Sequence, residues 1–164
     1  MKTVASLLFV CMGNICRSPM AEGVLRHRLV QRGVEDRLRI DSAGTGGWHA
    51  GTAPDARAIH VCEEHGIDIR GQRARILCSE DYTRFDLILC ADRITLSSVR
   101  SRRPVEASAE IALLLDWAGL GAGIDSPAGD VPDPYNGGVD DFRRVYRLLD
   151  SATDGLLTRL QLPA

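Results

Sequence analysis

Short, unbroken apolar runs alternate along this chain with segments of helical periodicity, and no other feature limits its fold as strongly. "VASLLFV" (Val4 to Val10), "LRIDSAG", "DLILCAD" (Asp86 to Asp92) and "EIALLLDW" each read as a strand. Unbroken runs of this length suit parallel strands covered on both faces. After the first run, Ala21, Val24, Leu25 and Leu29 recur at helical spacing opposite Arg26, His27, Arg28 and Arg32, and Gly33 closes the helix. Pro54 opens a second helix to about Glu64, a short third lies near Ile94 to Arg102, and Phe142, Val145, Tyr146, Leu149 and Leu156 share one face of a closing helix. The alternation predicts an α/β fold, with a four-stranded parallel sheet carrying helices on both faces. At 164 residues the chain holds one full core, so residues 1–164 are expected to form a single domain.

In such a sheet, ligands bind beyond the carboxyl ends of the strands. Cys11, Ser42 and Asp92 all fall at predicted carboxyl ends, so topology places them in one site. Residues 118–134, rich in Gly, Asp and Pro, read as a long functional loop. A net charge of −2 gives no field to draw the chain to nucleic acid or a membrane surface. No apolar run approaches the roughly 18 residues of a membrane span, and the first strand is too brief for a signal peptide. Five scattered cysteines, with no CxxC pair and no Cys/His cluster, predict reduced thiols in a cytoplasmic protein without metal or cofactor.

Two cysteines stand six residues before an arginine, Cys11–Arg17 and Cys78–Arg84. Lys2 is the only lysine among 20 basic residues, leaving 19 arginines, so about 0.6 such pairs are expected by chance. Chemistry separates the two. Glu80 and Asp81 inside the Cys78 segment would repel both a thiolate and a phosphate, which makes that pair structural. The Cys11 segment carries no acid, runs from a strand directly into a helix, and contains Gly13, which lets backbone N–H groups turn inward. Inward N–H groups, a helix N-terminus and a guanidinium make an anion cradle. The same field favours an ionised sulfur at Cys11. Arg17 grips two phosphoryl oxygens with its fork, Ser18 is placed to hydrogen-bond the sulfur, and Asn14 suits a left-handed turn.

With these residues in hand, "VCMGNICRSPMAE" resembles the signature of the low-molecular-weight protein tyrosine phosphatases. "DSAGTGGWHAG", "PDARA", "ILCAD" and "VPDPYNGG" follow in family order, so the resemblance covers nearly the whole chain. It implies a flavodoxin-like domain and a metal-free phosphomonoesterase acting through phosphocysteine on Cys11. In that family Met12, Gly13, Asn14, Ile15 and Cys16 line the phosphate loop, and Ser42 supports it. The resemblance also implies that Cys16 protects the oxidised nucleophile by forming a disulfide.

A departing phenolate needs a proton donor. Asp133 in "DPY" is one candidate and Asp130 its rival; the resemblance favours Asp133. Trp48 and Tyr135 offer apolar walls for a substrate ring, as aromatic residues do at these places in the family, and His49 lies nearby. Cys62 and Cys90 read as core thiols. The chain departs from the family pattern at three places: Gln72 stands where many members have a histidine, Thr95 where relatives often have an asparagine, and Tyr135-Asn136 where eukaryotic members have two tyrosines. Implied partners are tyrosine-phosphorylated proteins, a cognate bacterial tyrosine kinase among them, with phosphate and other oxyanions as inhibitors. Arsenate reduction on the same scaffold needs a relay cysteine pair beyond the loop, for which only Cys90 is near. A phosphotyrosine-binding module would have no need of Cys11, Arg17 and Asp133 together.

Overall fold

The computed structural model describes residues 3–121 and 129–162. Four strands, β1 (Ser6–Cys11), β2 (Arg39–Gly44), β3 (Leu87–Cys90) and β4 (Glu110–Leu113), form one sheet in the order β2-β1-β3-β4. Every neighbouring pair is parallel, so the fold is the doubly wound one expected. Among the described residues the α-helices are α1 (Arg17–Gln31), α2 (Ala56–Glu63), α3 (Asp81–Arg84), α4 (Arg93–Ser101), α5 (Leu114–Trp117) and α6 (Val139–Arg159), with a 3-10 turn at Glu35–Arg37.

Strand alternation divides β1 between two cores. Leu7, Phe9 and Cys11 pack toward α1, α2 and α6, while Leu8 and Val10 pack with Tyr82, Phe85 and Val99 on the other face. β1 sits between β2 and β3, so the chain winds outward from β1 to β2 and then crosses back past β1 to β3 and β4. The crevice opened by that reversal lies at the carboxyl ends of β1 and β3.

The run "EIALLLDW" departs from its reading as one strand. Only Glu110–Leu113 pairs with the sheet, and Leu114–Trp117 turns into α5. Leu114 and Leu115 are both buried in succession, which a helix packed on α6 permits and a strand facing solvent on one side does not. Trp117 is buried there, its Nε1 donating to Glu110 Oε2 (3.0 Å) and the Arg159 guanidinium lying 4.1 Å from its ring centre. The helix of Asp81–Arg84 was not anticipated from the sequence. Part of the long loop expected at 118–134, residues 122–128, lies outside the described residues.

Candidate active site

β1 delivers Cys11 to the end of the sheet, paired in register with Gly44 of β2. A side chain on Gly44 would meet the Met12 carbonyl oxygen at 2.8 Å, so the loop after Cys11 lies directly against bare β2 backbone. Thr45 and Gly46 donate their N–H groups to the Cys11 and Met12 carbonyls (3.0 and 2.9 Å). Asn14 takes the left-handed conformation, φ 58°, that curls the loop. α1 then starts at Arg17 with no side-chain cap and no acid in its first turn, which leaves its positive end facing the loop.

Asn14 also orders the protons. Its Nδ2 donates to both Ser18 Oγ (2.8 Å) and Ser42 Oγ (3.0 Å). Ser42 Oγ donates to Glu22 Oε1 (2.8 Å), and Ser18 Oγ shares a hydrogen bond with the Cys11 sulfur, 2.9 Å away, in which it is the donor whenever that sulfur is ionised. Burial pushes the Glu22 carboxyl above its ordinary range, against hydrogen bonds from Arg26 and Ser42. Asn14 Oδ1 accepts the backbone N–H of Arg75 (2.9 Å), whose side chain pairs with Asp81 (3.0 Å) and Asp41 (3.0 Å). Cys78 donates through its N–H and its sulfur to the same buried Asp81 (2.9 and 3.4 Å). Cys78 is therefore part of a strut behind the loop, whereas Arg84 of the second pair stands apart from it, its guanidinium 6.0 Å from the Phe85 ring centre.

Arg17 is 3% exposed. Its Nη1 donates to Asp92 Oδ2 (2.6 Å) and the Val131 carbonyl (2.9 Å), and its Nη2 lies 3.8 Å from Asp133 Oδ2. Burial works against the Asp92 charge, but the Thr95 N–H and Arg17 outweigh it and hold the carboxyl below its ordinary range. Asp92 thus caps α4 and steadies the guanidinium at once. Gln72 donates to the Pro19 carbonyl (3.0 Å), propping the first turn of α1 rather than the loop.

Cys11 and Arg17 form the floor of a cleft of about 220 Å³, with Trp48, His49 and Tyr135 as walls and Asp133 at its side. Trp48 is 72% and Tyr135 47% exposed, so the walls stand out from the surface. Met12, Gly13, Ile15 and Cys16 complete the lining. Asp130 is not part of it; its Oδ1 accepts the Arg93 N–H (2.9 Å). Burial, with the charges of Asp55, Cys11 and Asp133, drives the Cys16 thiol well above its ordinary range. Cys62 and Cys90 are fully buried, and burial pushes each thiol up to about 12. No group of three or more His, Cys, Asp or Glu suited to a metal ion occurs among the described residues. Among them, too, no helix is long and apolar enough to cross a membrane.

Sequence reasoning missed Glu22, Arg75, and the pair Asp55 and Arg57. The Asp-x-Arg spacing in "PDAR" was the one available signal for the last pair, since Asp55 caps α2 by accepting the Arg57 N–H (2.8 Å).

Residues 6–163 match the family described as low molecular weight phosphotyrosine protein phosphatase. The low molecular weight protein-tyrosine-phosphatase YfkJ of Bacillus subtilis is 38% identical over 156 residues, 95% of this chain and 96% of that protein. The crystal structure of a protein tyrosine phosphatase from Entamoeba histolytica, with Hepes in its active site, superposes with a TM-score of 0.86 at 33% identity, covering 96% of this chain and 97% of that one. A Drosophila arginine phosphatase superposes with a TM-score of 0.84 at 29% identity, over 96% of this chain and 99% of the other.

Proposed function

The chain belongs to the low molecular weight phosphotyrosine protein phosphatases, hydrolases of phosphotyrosine, and from that premise we propose that Cys11 takes the phosphoryl group, Arg17 binds it and Asp133 moves the proton. The observation that carries this assignment is the convergence of all three on one cleft, with the sulfur under a curled loop and a helix N-terminus. The cradle of N–H groups holds the phosphoryl oxygens, and Met12 to Cys16 supply it. The Nη1 edge of Arg17 is taken by Asp92 and Val131, which leaves the Nε–Nη2 edge to grip two equatorial oxygens.

The Cys11 sulfur attacks phosphorus while the aryl oxygen leaves with the proton of Asp133. Asp133, now a carboxylate, takes a proton from water, whose oxygen attacks phosphorus and releases the sulfur. Ser18, 2.9 Å from the Cys11 sulfur, donates to it once it is ionised and so eases its departure from phosphorus. Trp48 and Tyr135 flank the substrate ring. Cys16, protonated and buried beside the loop, is the thiol able to close a disulfide on an oxidised Cys11.

The physiological substrates are tyrosine-phosphorylated proteins, a bacterial tyrosine kinase among them, and inorganic phosphate competes for the cradle. All five cysteines are free thiols, which supports a reducing, cytoplasmic setting.

Hydrolysis of p-nitrophenyl phosphate by wild type, Cys11→Ser and Asp133→Ala tests the assignment. Cys11→Ser is expected to be inactive, and Asp133→Ala to form the phosphoenzyme about 10²- to 10⁴-fold more slowly on a phosphotyrosine peptide. Equal rates for Cys11→Ser and wild type would remove the nucleophile, and preferred turnover of a phosphoarginine peptide would change the substrate class.

A further inference from the structure

We propose that Arg57 is the positioning residue that sets the reach of the general acid, by tying the loop that carries Asp133 to the loop that holds the phosphoryl group. Its premise is that Asp133 is that acid. Asp133 and Pro134 lie between two anchors. Upstream, the Val131 N–H donates to the Ala91 carbonyl (2.8 Å) and the Val131 carbonyl accepts from Arg17 (2.9 Å). Downstream, Arg57 reaches across from α2, donating Nη1 to the Gly137 carbonyl (2.8 Å) and Nη2 to the Tyr135 carbonyl (3.0 Å).

The guanidinium is itself fixed. Its Nε and Nη2 grip the two oxygens of Asp55 (3.0 and 2.9 Å), and it lies 4.5 Å from the ring centre of Phe142. Asp55 in turn donates its backbone N–H to the carbonyl of Ile15 in the phosphate loop (2.8 Å). Ile15, Asp55, Arg57 and the carbonyls of Tyr135 and Gly137 therefore form one continuous connection. It spans from the atoms that cradle phosphate to the segment that carries the proton. The Asp133 side chain is about half exposed, and its ion pair with Arg17 is long at 3.8 Å, so the carboxyl goes where its backbone is put. Lysine's three donors radiate from one nitrogen, so it does not reproduce the planar fork whose separate nitrogens reach Asp55 on one side and the two carbonyls on the other.

In the first step the sulfur–phosphorus bond forms, the phosphorus–aryl oxygen bond breaks, and the Asp133 proton passes to the leaving oxygen. The more basic that oxygen, the more the reaction depends on the proton arriving. A displaced acid therefore slows poor leaving groups selectively, whereas a loss of folded protein slows all substrates alike.

The test compares kcat/KM for phenyl phosphate and p-nitrophenyl phosphate in wild type, Arg57→Ala, Arg57→Lys, Asp133→Ala and the Arg57→Ala/Asp133→Ala double variant. Arg57→Ala is expected to lose about 10²-fold on phenyl phosphate, the scale of a misplaced catalytic group, and only a few-fold on p-nitrophenyl phosphate. Competitive inhibition by inorganic phosphate stays as in wild type, and Arg57→Lys does not rescue. In the Asp133→Ala background the Arg57 substitution adds no further loss, because both act through one proton. Equal losses on the two substrates, additive losses in the double variant, or weakened phosphate binding would overturn the proposal. If Arg57→Ala does not fold, Asp55→Asn releases the same clamp and must give the same substrate-selective pattern. An Asp133→Ala variant that fails to discriminate between the two substrates would instead overturn the acid assignment.

Discussion

Asp81 has no solvent exposure, yet it is charged, accepting from both ends of the Arg75 guanidinium and from the N–H and sulfur of Cys78. Burial opposes its ionisation, but these donors prevail and hold the carboxyl below its ordinary range. Asp81→Asn leaves Arg75 half-paired and is expected to cost about 3 kcal/mol at pH 7. The stabilisation is complete above the unfolded value of about 4 and disappears as pH falls through the depressed folded value. Urea unfolding of wild type and variant should therefore differ widely at pH 7 and converge in acid; a gap that does not change with pH would refute the charge at Asp81. At the mouth of the cleft, Trp48→Ala should raise KM for a phosphotyrosine peptide about three- to tenfold, the worth of one aromatic contact. An unchanged KM would take Trp48 out of the wall. Residues such as Cys11 and Arg17 were legible because acids are missing between them and the flanking pattern is strand then helix. Arg57 was not, since an arginine among 19 carries little information and its partners are carbonyls, which every residue has.

Among the elements, β1 and α1 were the easiest to read, and the boundary between β4 and α5 the hardest. A run of consecutive apolar residues is compatible with a strand or a buried turn of helix, and only the packing of α5 on α6 decides it. The four residues of α3 have no periodicity long enough to detect. The junction of β2 with the phosphate loop depends on Gly44, whose added methyl would strike backbone that cannot rotate away. Gly44→Ala is expected to keep the sheet while lowering phosphate affinity and kcat together by about tenfold or more. Inhibition by inorganic phosphate measures the first, and wild-type affinity would show that the loop has room to move. α6 has a similar constraint at Gly155, where a methyl would overlap the Ala118 carbonyl. Gly155→Ala should destabilise the protein by about 1–3 kcal/mol, read as a lower urea midpoint with activity intact below the transition.

At the scale of the molecule, the parallel sheet with its reversal beside β1 followed from the alternation of runs, because few other arrangements bury so many short apolar segments on both faces. What the alternation did not convey was how the crevice is braced. Asp92, Glu22, Asp55 and Arg75 come from four separate places in the chain and act through hydrogen bonds whose geometry only the folded state defines.

The two tryptophans occupy opposite environments, Trp48 at 72% exposure on the lip of the cleft and Trp117 at 6% beneath α6. Their light emission is accordingly divided by colour. The red edge of the native spectrum is expected to come from the mouth and to change when the cleft is occupied, and the blue edge to come from the interior and to be lost on melting. One unlabelled sample thus reports occupancy and unfolding through separate optical channels.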